Sequence, residues 1–170
     1  MIVTTKKLSS YYAKRDFSKT TEPRSKINRQ NNNTFVVQRH DASHLHYDLR
    51  LEVDGVLKSW AIPKGMPKTY AEKRLAVQTE DHPLEYAHFS GIIPQGQYGA
   101  GTVQIWDAGT YEQIISDTKP QKDMTSALKD GSIKFHLHGE RYKGNYALIR
   151  FKHEKNKDNW LIFRIFKNAR

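Results

Sequence analysis

A chain of 170 residues with 37% hydrophobic and 11% aromatic content is long enough for one domain with a proper core. Net charge is +10, which points to a polyanionic partner, and the absence of cysteine excludes both a disulfide framework and a thiolate metal site. No run approaches the ~18 apolar residues of a membrane span, and Met1 to Lys7 lacks the apolar core of a signal peptide, so the expected location is the cytoplasm.

Charge is unevenly spread. Residues 1–30 hold eight Lys/Arg against two acids, and residues 141–170 hold nine against two, which leaves the middle slightly acidic. The basic ends read as grips for a polyanion and the middle as the place of chemistry. The bland alternative is a solvated basic surface.

In chain order, residues 6–16 predict a short helix, with Leu8, Tyr11 and Tyr12 at helical spacing. Residues 1–34 are expected as a basic helix and loop segment, since Thr20 to Thr34 is polar and holds Pro23 and three successive Asn. Strands are expected from there on. Phe35 to Arg39 is the first and Leu45 to Val53 the second. Asp54-Gly55 is a two-residue hairpin turn. Val56 to Ile62 is the third strand, ended by Pro63, and Leu75 to Thr79 another. Thr102 to Trp106, Thr110 to Ile115, Ser132 to Leu137, Tyr146 to Phe151 and Trp160 to Phe166 follow. Residues 123–130 predict a helix capped by Asp123 and stopped by Gly131. Many short strands with few helices imply a mainly β barrel or sandwich over 35–170, within a single domain.

The second strand carries the chemistry. From His44 to Val53, odd positions are apolar and even positions are imidazole or charged, the period of a half-buried strand. Same-face residues two apart lie roughly 6.6–6.8 Å apart at Cα, close enough to share one metal ion. His44 and Asp48 are twice as far apart. The strand therefore offers His44 with His46, or His46 with Asp48, and a third ligand must come from elsewhere. His40 is well placed, because Asp41-Ala42-Ser43 would turn the chain back beside it. Two His and a carboxylate without Cys suit Mn²⁺ or Fe²⁺, with Zn²⁺ as an alternative. Arg50 continues the face, and its planar fork matches two phosphate oxygens. The bland alternative is a polar sheet face that tolerates His, with Arg50 paired to Glu52 or Asp48.

Later segments add polar groups. Lys64 follows a strand end, where loops reach a site. His82 lies between carboxylates in Glu80-Asp81-His82-Pro83, where it can stay protonated as a general acid or bind phosphate. Gly96-Gln97-Tyr98-Gly99-Ala100-Gly101 lacks the Gly-Lys-Ser/Thr of a phosphate loop and reads as a glycine-rich turn.

The run from Gln38 to Glu52 resembles the signature of the 3′-phosphoesterase domain of bacterial DNA ligase D. The likeness continues through Leu57 to Gly65, Arg74 to Tyr86 and Ile93 to Gly101. Arg15-Asp16-Phe17 and Glu22 fit the family's N-terminal segment. The resemblance implies a compact antiparallel β-barrel with a few short helices that heals DNA 3′ ends during non-homologous end joining. A 3′-terminal ribonucleotide is trimmed in two steps: a phosphodiesterase step leaves a ribonucleoside 3′-phosphate, and a phosphomonoesterase step then exposes the 3′-OH. The implied cofactor is Mn²⁺, with Zn²⁺ or Co²⁺ as alternatives. Carried over position by position, His40, His46 and Asp48 would be the metal ligands, which leaves His44 outside. His82 and Arg50 would contact the scissile phosphate. Arg74, Lys64, Glu80 and Tyr86 would support catalysis. Gln38 would bind substrate, as would Arg15, Asp16 and Glu22, which would serve mainly the diesterase step.

The implied partners are a DNA primer–template with a 3′-ribonucleotide or 3′-phosphate, a separate ligase and polymerase, and a Ku-type end-binding protein. The protein is expected to be a monomer, either free-standing or cut from a larger ligase. Two rivals predict different outcomes. A non-haem Fe(II) oxygenase barrel would consume oxygen rather than release phosphate. A non-catalytic nucleic-acid-binding barrel would show no metal dependence.

Overall fold

The computed structural model describes residues 6–26, 31–117, 120–152, 155 and 158–166. Residues 27–30 of the expected loop lie outside these. The described strands are β1 (Thr34–Asp41), β2 (Leu45–Val53), β3 (Val56–Ile62), β4 (Lys73–His82), β5 (Gly91–Ile93), β6 (Gly101–Gln113), β7 (Ser132–His138), β8 (Lys143–Arg150) and β9 (Asn159–Ile165). Two short helices, α1 (Ser9–Ala13) and α2 (Met124–Asp130), and a 3₁₀ turn (Leu84–His88) complete them.

All pairings are antiparallel. Eight strands run in the order β1-β2-β3-β4-β9-β8-β7-β6 and close into a barrel through pairing of β6 with β1. Short β5 adds to the first residues of β6. Local chemistry decides the β2–β3 hairpin: Asp54 and Gly55 both have positive φ, as a tight primed turn requires. The caps of α2 form as expected, with the Asp123 carboxylate accepting from the Ser126 amide and Gly131 in the left-handed region.

The odd residues of β2 fill the barrel. Leu49, Leu51 and Val53 pack with Phe35, Trp60, Phe135 and Trp160, and the two indoles meet edge to face at 5.7 Å. A second core lies outside the wall of β1 and β3. There Val36, Val56 and Leu57 are covered by Leu8 and Tyr11 of the N-terminal segment and by Tyr86, Phe89 and Ile93. Burial of each such side chain is worth about 1.5–3 kcal/mol, which fixes this layer on the barrel.

Four expectations change. The helix expected at 6–16 is present at residues 6–7 and Ser9–Ala13 but ends there, because Arg15 folds back to the Tyr11 carbonyl and Asp16 caps the next turn through Ser18. The two strands at 102–106 and 110–115 are one, since Asp107 does not break the chain. Instead its buried carboxylate accepts from the amides of Glu140, Arg141 and Tyr142. Strand β4 runs on to His82 rather than ending at Thr79. Finally, the polar face of β2 is not half-buried: Asp48, Arg50 and Glu52 are all buried, Arg50 beneath Tyr86 of the second layer and Glu52 against the amides of Asn32 and Thr34.

Candidate active site

The β1–β2 hairpin sets His40 opposite His46 and Gln38 opposite Asp48, so all four share the outer face of the wall. Ser59 of β3 lies opposite Arg50 on that face. Strand β4 needs one irregularity to join them. Ser59 pairs with Thr79 but Leu57 pairs with His82, so β4 holds one extra residue between them. A one-residue insertion inverts every later side chain. It turns His82 onto the site and sends Asp81 to Lys58, 2.9 Å away.

His40 Nδ1 and His46 Nε2 each lie 3.4 Å from the Asp48 carboxylate, and one ligand atom from each residue falls within 4.8 Å of the others. The far nitrogens are committed. His40 Nε2 donates to the Gly99 carbonyl at 2.7 Å and His46 Nδ1 donates to the His44 carbonyl at 3.1 Å. In the neutral rings the converging atoms are then all acceptors, and only a cation or protons between them relieves their repulsion. A donor set of two imidazoles and a carboxylate with outward N–H groups anchored on carbonyls fits a divalent metal ion. Burial works against ionised Asp48, yet Arg50, 3.5 Å away, with the two imidazoles holds its carboxyl well below the usual range. Burial also opposes charge on His46, but its contact with Asp48 raises its pKa.

Arg50 is held on every side. Its Nε donates to Gln38 Oε1 at 2.7 Å, and Gln38 in turn donates to the carbonyls of Tyr86 and Phe89. Its guanidinium lies over the Tyr86 ring, 4.7 Å from the centroid. His82 Nδ1 donates to the Glu80 carbonyl at 2.8 Å, with Ser59 Oγ at 3.3 Å and Arg50 at 3.2 Å. Its Nε2 is therefore the proton-accepting atom, facing Arg15 at 3.4 Å. The expectation of a protonated His82 is not met. Burial, then Arg50 and Arg15, lower its pKa well below the ordinary value, and these guanidinium groups outweigh Glu80 and Asp48.

The N-terminal segment closes the site. Arg15 bonds buried Glu22 at 2.8 Å and Glu80 at 3.2 Å, and stacks 4.0 Å from the Tyr11 ring centroid. Glu22 also accepts from Tyr86 and Thr20. Lys14 bonds Glu80 at 3.1 Å and lies over Tyr98.

Thus His40, His46, Asp48, Arg50, Gln38, His82, Glu80, Tyr86, Arg15 and Glu22 form one connected group. Three expected residues stand apart from its hydrogen bonds. Asp16 is exposed and caps its own turn through Ser18. Lys64 is exposed in the loop after β3. Arg74 pairs with Glu72 at 3.1 Å, on the strand parity of interior Ala76. The His44 side chain is exposed, as the choice of His46 with Asp48 implies. Sequence reasoning missed Ser59, Thr20, Tyr98 and the Gly99 carbonyl. Only Gly99 left a trace, in the glycine-rich turn whose positive φ aims that carbonyl at His40.

The structure is thus a closed antiparallel barrel whose outer wall carries a cluster of two His and one carboxylate that could hold a metal ion, beside an arginine–histidine pair. The family model of the DNA Ligase D 3′-phosphoesterase domain matches residues 38–150, and the chain belongs to this family. It is 51% identical over 168 residues to the multifunctional non-homologous end joining protein LigD of Mycolicibacterium smegmatis, covering 96% of this chain and 21% of that protein. The LigD of Pseudomonas aeruginosa is 46% identical, with 94% and 18% covered. That of Mycobacterium tuberculosis is 49% identical, with 94% and 20% covered. The chain thus spans about a fifth of the length of these relatives. No described helix is long and apolar enough to cross a membrane.

Proposed function

We propose that this chain is a metal-dependent DNA 3′-phosphoesterase that prepares 3′-OH ends for repair synthesis and ligation. It removes a terminal ribonucleoside by a phosphodiesterase step and then the remaining 3′-phosphate by a phosphomonoesterase step. One observation carries the reading: ligand atoms of His40, His46 and Asp48 lie within 4.8 Å of one another beside an arginine held in place by Gln38. Residues 1–34 and 35–170 act as one domain in this reading, in the cytoplasm and as a monomer. The partners are a DNA end, with a ligase, a polymerase and a Ku-type protein acting on the same end.

His40, His46 and Asp48 would hold the ion, Mn²⁺ by this reading with Zn²⁺ or Co²⁺ as alternatives. The ion would supply Lewis-acid polarisation of a phosphoryl oxygen. Arg50, unable to swing because Gln38 and Tyr86 hold it, binds two phosphate oxygens. Substrate phosphate, a monoanion in the diester step and a dianion in the monoester step, offsets the charges of Arg50 and Arg15. His82 Nε2 can then take up a proton from solvent before the reaction and donate it to the leaving oxygen. Arg15, fixed by Glu22 and Glu80, orients the terminal nucleotide in the diesterase step. Tyr86 supports Arg50 and Glu22, while Lys64 in the β3–β4 loop and Arg74 at the start of β4 bind the strand, and Asp16 shapes the turn behind Arg15.

A labelled primer–template ending in one ribonucleotide, incubated with and without Mn²⁺, tests this. The expected products are a shortened strand with a 3′-phosphate and then a 3′-OH strand. No change of mobility with any of the three ions would sink the reading.

A further inference from the structure

The loop between β3 and β4 leaves the metal cluster and ends on an aromatic stack. Gly65 packs its backbone against the Tyr47 ring, where a Cβ would lie 3.2 Å from the ring, and Tyr47 follows His46. Farther along the loop, Tyr70 stacks flat on Phe166, with centroids 4.2 Å apart and planes at 9°. The Arg164 guanidinium lies 5.1 Å from the Tyr70 ring centroid. Arg164 also donates to the Lys68 carbonyl at 3.2 Å and the Lys143 carbonyl at 3.1 Å, which pins the loop to β8.

Hydrophobic burial does not explain this stack. Phe166 is 67% exposed and Tyr70 46% exposed, whereas Phe35, Phe89 and Phe135 are buried. The surround is cationic. Residues 63–74 hold Lys64, Lys68, Lys73 and Arg74 against one acid, Glu72. The Nε groups of Arg74 and Arg164 are buried without a hydrogen-bond partner among the described residues. An apolar protein partner would need a contiguous greasy patch. Flat rings interleaved with lysine and arginine instead match a polyanion with exposed flat faces.

We infer that Phe166 and Tyr70 form a stacking platform for unpaired bases of the DNA whose 3′ end occupies the metal site. The cations of the loop and of the first residues of β4 track the phosphates of that stretch. The inference deepens the phosphoesterase reading and rests on it for the identity of the DNA.

The test is a fluorescence-anisotropy titration of the full chain with a labelled 15-mer of thymidylate carrying a 3′-OH, in metal-free buffer. Phe166→Ala is expected to weaken binding roughly tenfold, while Phe166→Trp binds at least as well as the parent protein. Tyr70→Ala should weaken it similarly. Phe166 is the exposed end of the stack, so its variant keeps the assay decisive if Tyr70→Ala fails to fold. Hydrolysis of a nucleoside 3′-monophosphate should be unchanged in Phe166→Ala. Equal affinity of Phe166→Ala and parent, or full affinity of Phe166→Leu, overturns the platform. Because this DNA has no 3′-phosphate and no metal is present, the result stands apart from end healing. Healing with an unaffected Phe166→Ala would remove the platform alone. Platform binding without any healing would remove the enzymatic reading alone.

Discussion

Asp48 serves two neighbours at once: it faces two imidazoles and lies 3.5 Å from Arg50. In the proposed function its charge would complete the metal cluster and anchor the phosphate fork, so one truncation should disable both. His40→Ala, His46→Ala and Asp48→Ala are each expected to abolish Mn²⁺ binding, read by electron paramagnetic resonance, together with phosphate release. The loss should exceed the roughly 10–100-fold that removal of a supporting partner costs. His44→Ala should keep both, since only its carbonyl meets His46. Activity retained in the Asp48 variant would refute the assignment. His82 makes a second, independent prediction. Its neighbours are Arg50, Arg15, Ser59, Glu80, Tyr11 and Tyr86. Burial and the two guanidinium groups keep it neutral in the fold, whereas the unfolded chain takes up a proton near pH 6.5. The unfolded state thus binds more protons below that pH. The stability from neutral His82 is complete above about pH 6.5 and is lost on acidification, with a limiting slope of about 1.4 kcal/mol per pH unit. Urea unfolding of metal-free protein between pH 7 and 5 should show a steeper acid loss in the parent than in His82→Gln. The opposite contribution of His46 is common to both proteins. Parallel slopes would contradict the depressed pKa.

Among the elements, the N-terminal segment decides whether the outer wall is a site or a bare surface. Glu22 is its pin, with a fully buried side chain bonded to Arg15, Tyr86 and Thr20. Glu22→Ala leaves the Arg15 charge buried with Glu80 as its remaining partner, at a cost of about 3–5 kcal/mol. Residues 14–26 should become cleavable by protease while the Trp60–Trp160 core stays folded. An uncleaved segment would show that apolar burial alone holds it. Gly101 pins the opposite edge. Its φ is +141°, and a Cβ would lie 2.2 Å from the Asp41 carbonyl. Gly101→Ala should push Asp41, and His40 with it, so Mn²⁺ affinity should fall along with the unfolding midpoint. These links explain what was legible. Strands β2 and β3 and the Asp54-Gly55 turn follow from residues within a few positions, where period and turn chemistry decide. His40, His46 and Asp48 lie on one hairpin, so spacing could narrow them to two pairs. Other features depend on distant partners. Asp107 joins two strands into one only because residues 140–142 supply amides. His82 reaches the site only through a bulge set by β3. Arg15 and Glu22 meet His82 and Tyr86 across more than sixty residues, and resemblance alone pointed to them.

For the whole molecule, the packed barrel interior forces the chemistry outward. Two indoles and the other buried side chains fill the barrel, so the site lies between its wall and the second core. Two kinds of charge then act at different depths. Arg50 and Asp48 are buried and only weakly screened by salt. Lys64, Lys68, Lys73 and Lys143 are exposed and would act through counterion release on a bound DNA strand. If about four such charges meet single-stranded phosphates, log affinity should fall with log salt at a slope of about −3. Between 50 and 200 mM salt that amounts to roughly a 50-fold loss. Hydrolysis of a nucleoside 3′-monophosphate, which reaches only the buried fork, should change less than about twofold over that range. Replacement of Lys68 and Lys73 by Gln should reduce the slope by about 1.4 and leave the small substrate untouched. An unchanged slope would move the DNA path off the β3–β4 loop. A steep salt effect on the small substrate would mean that Arg50 meets phosphate in open solvent, against its burial in the wall.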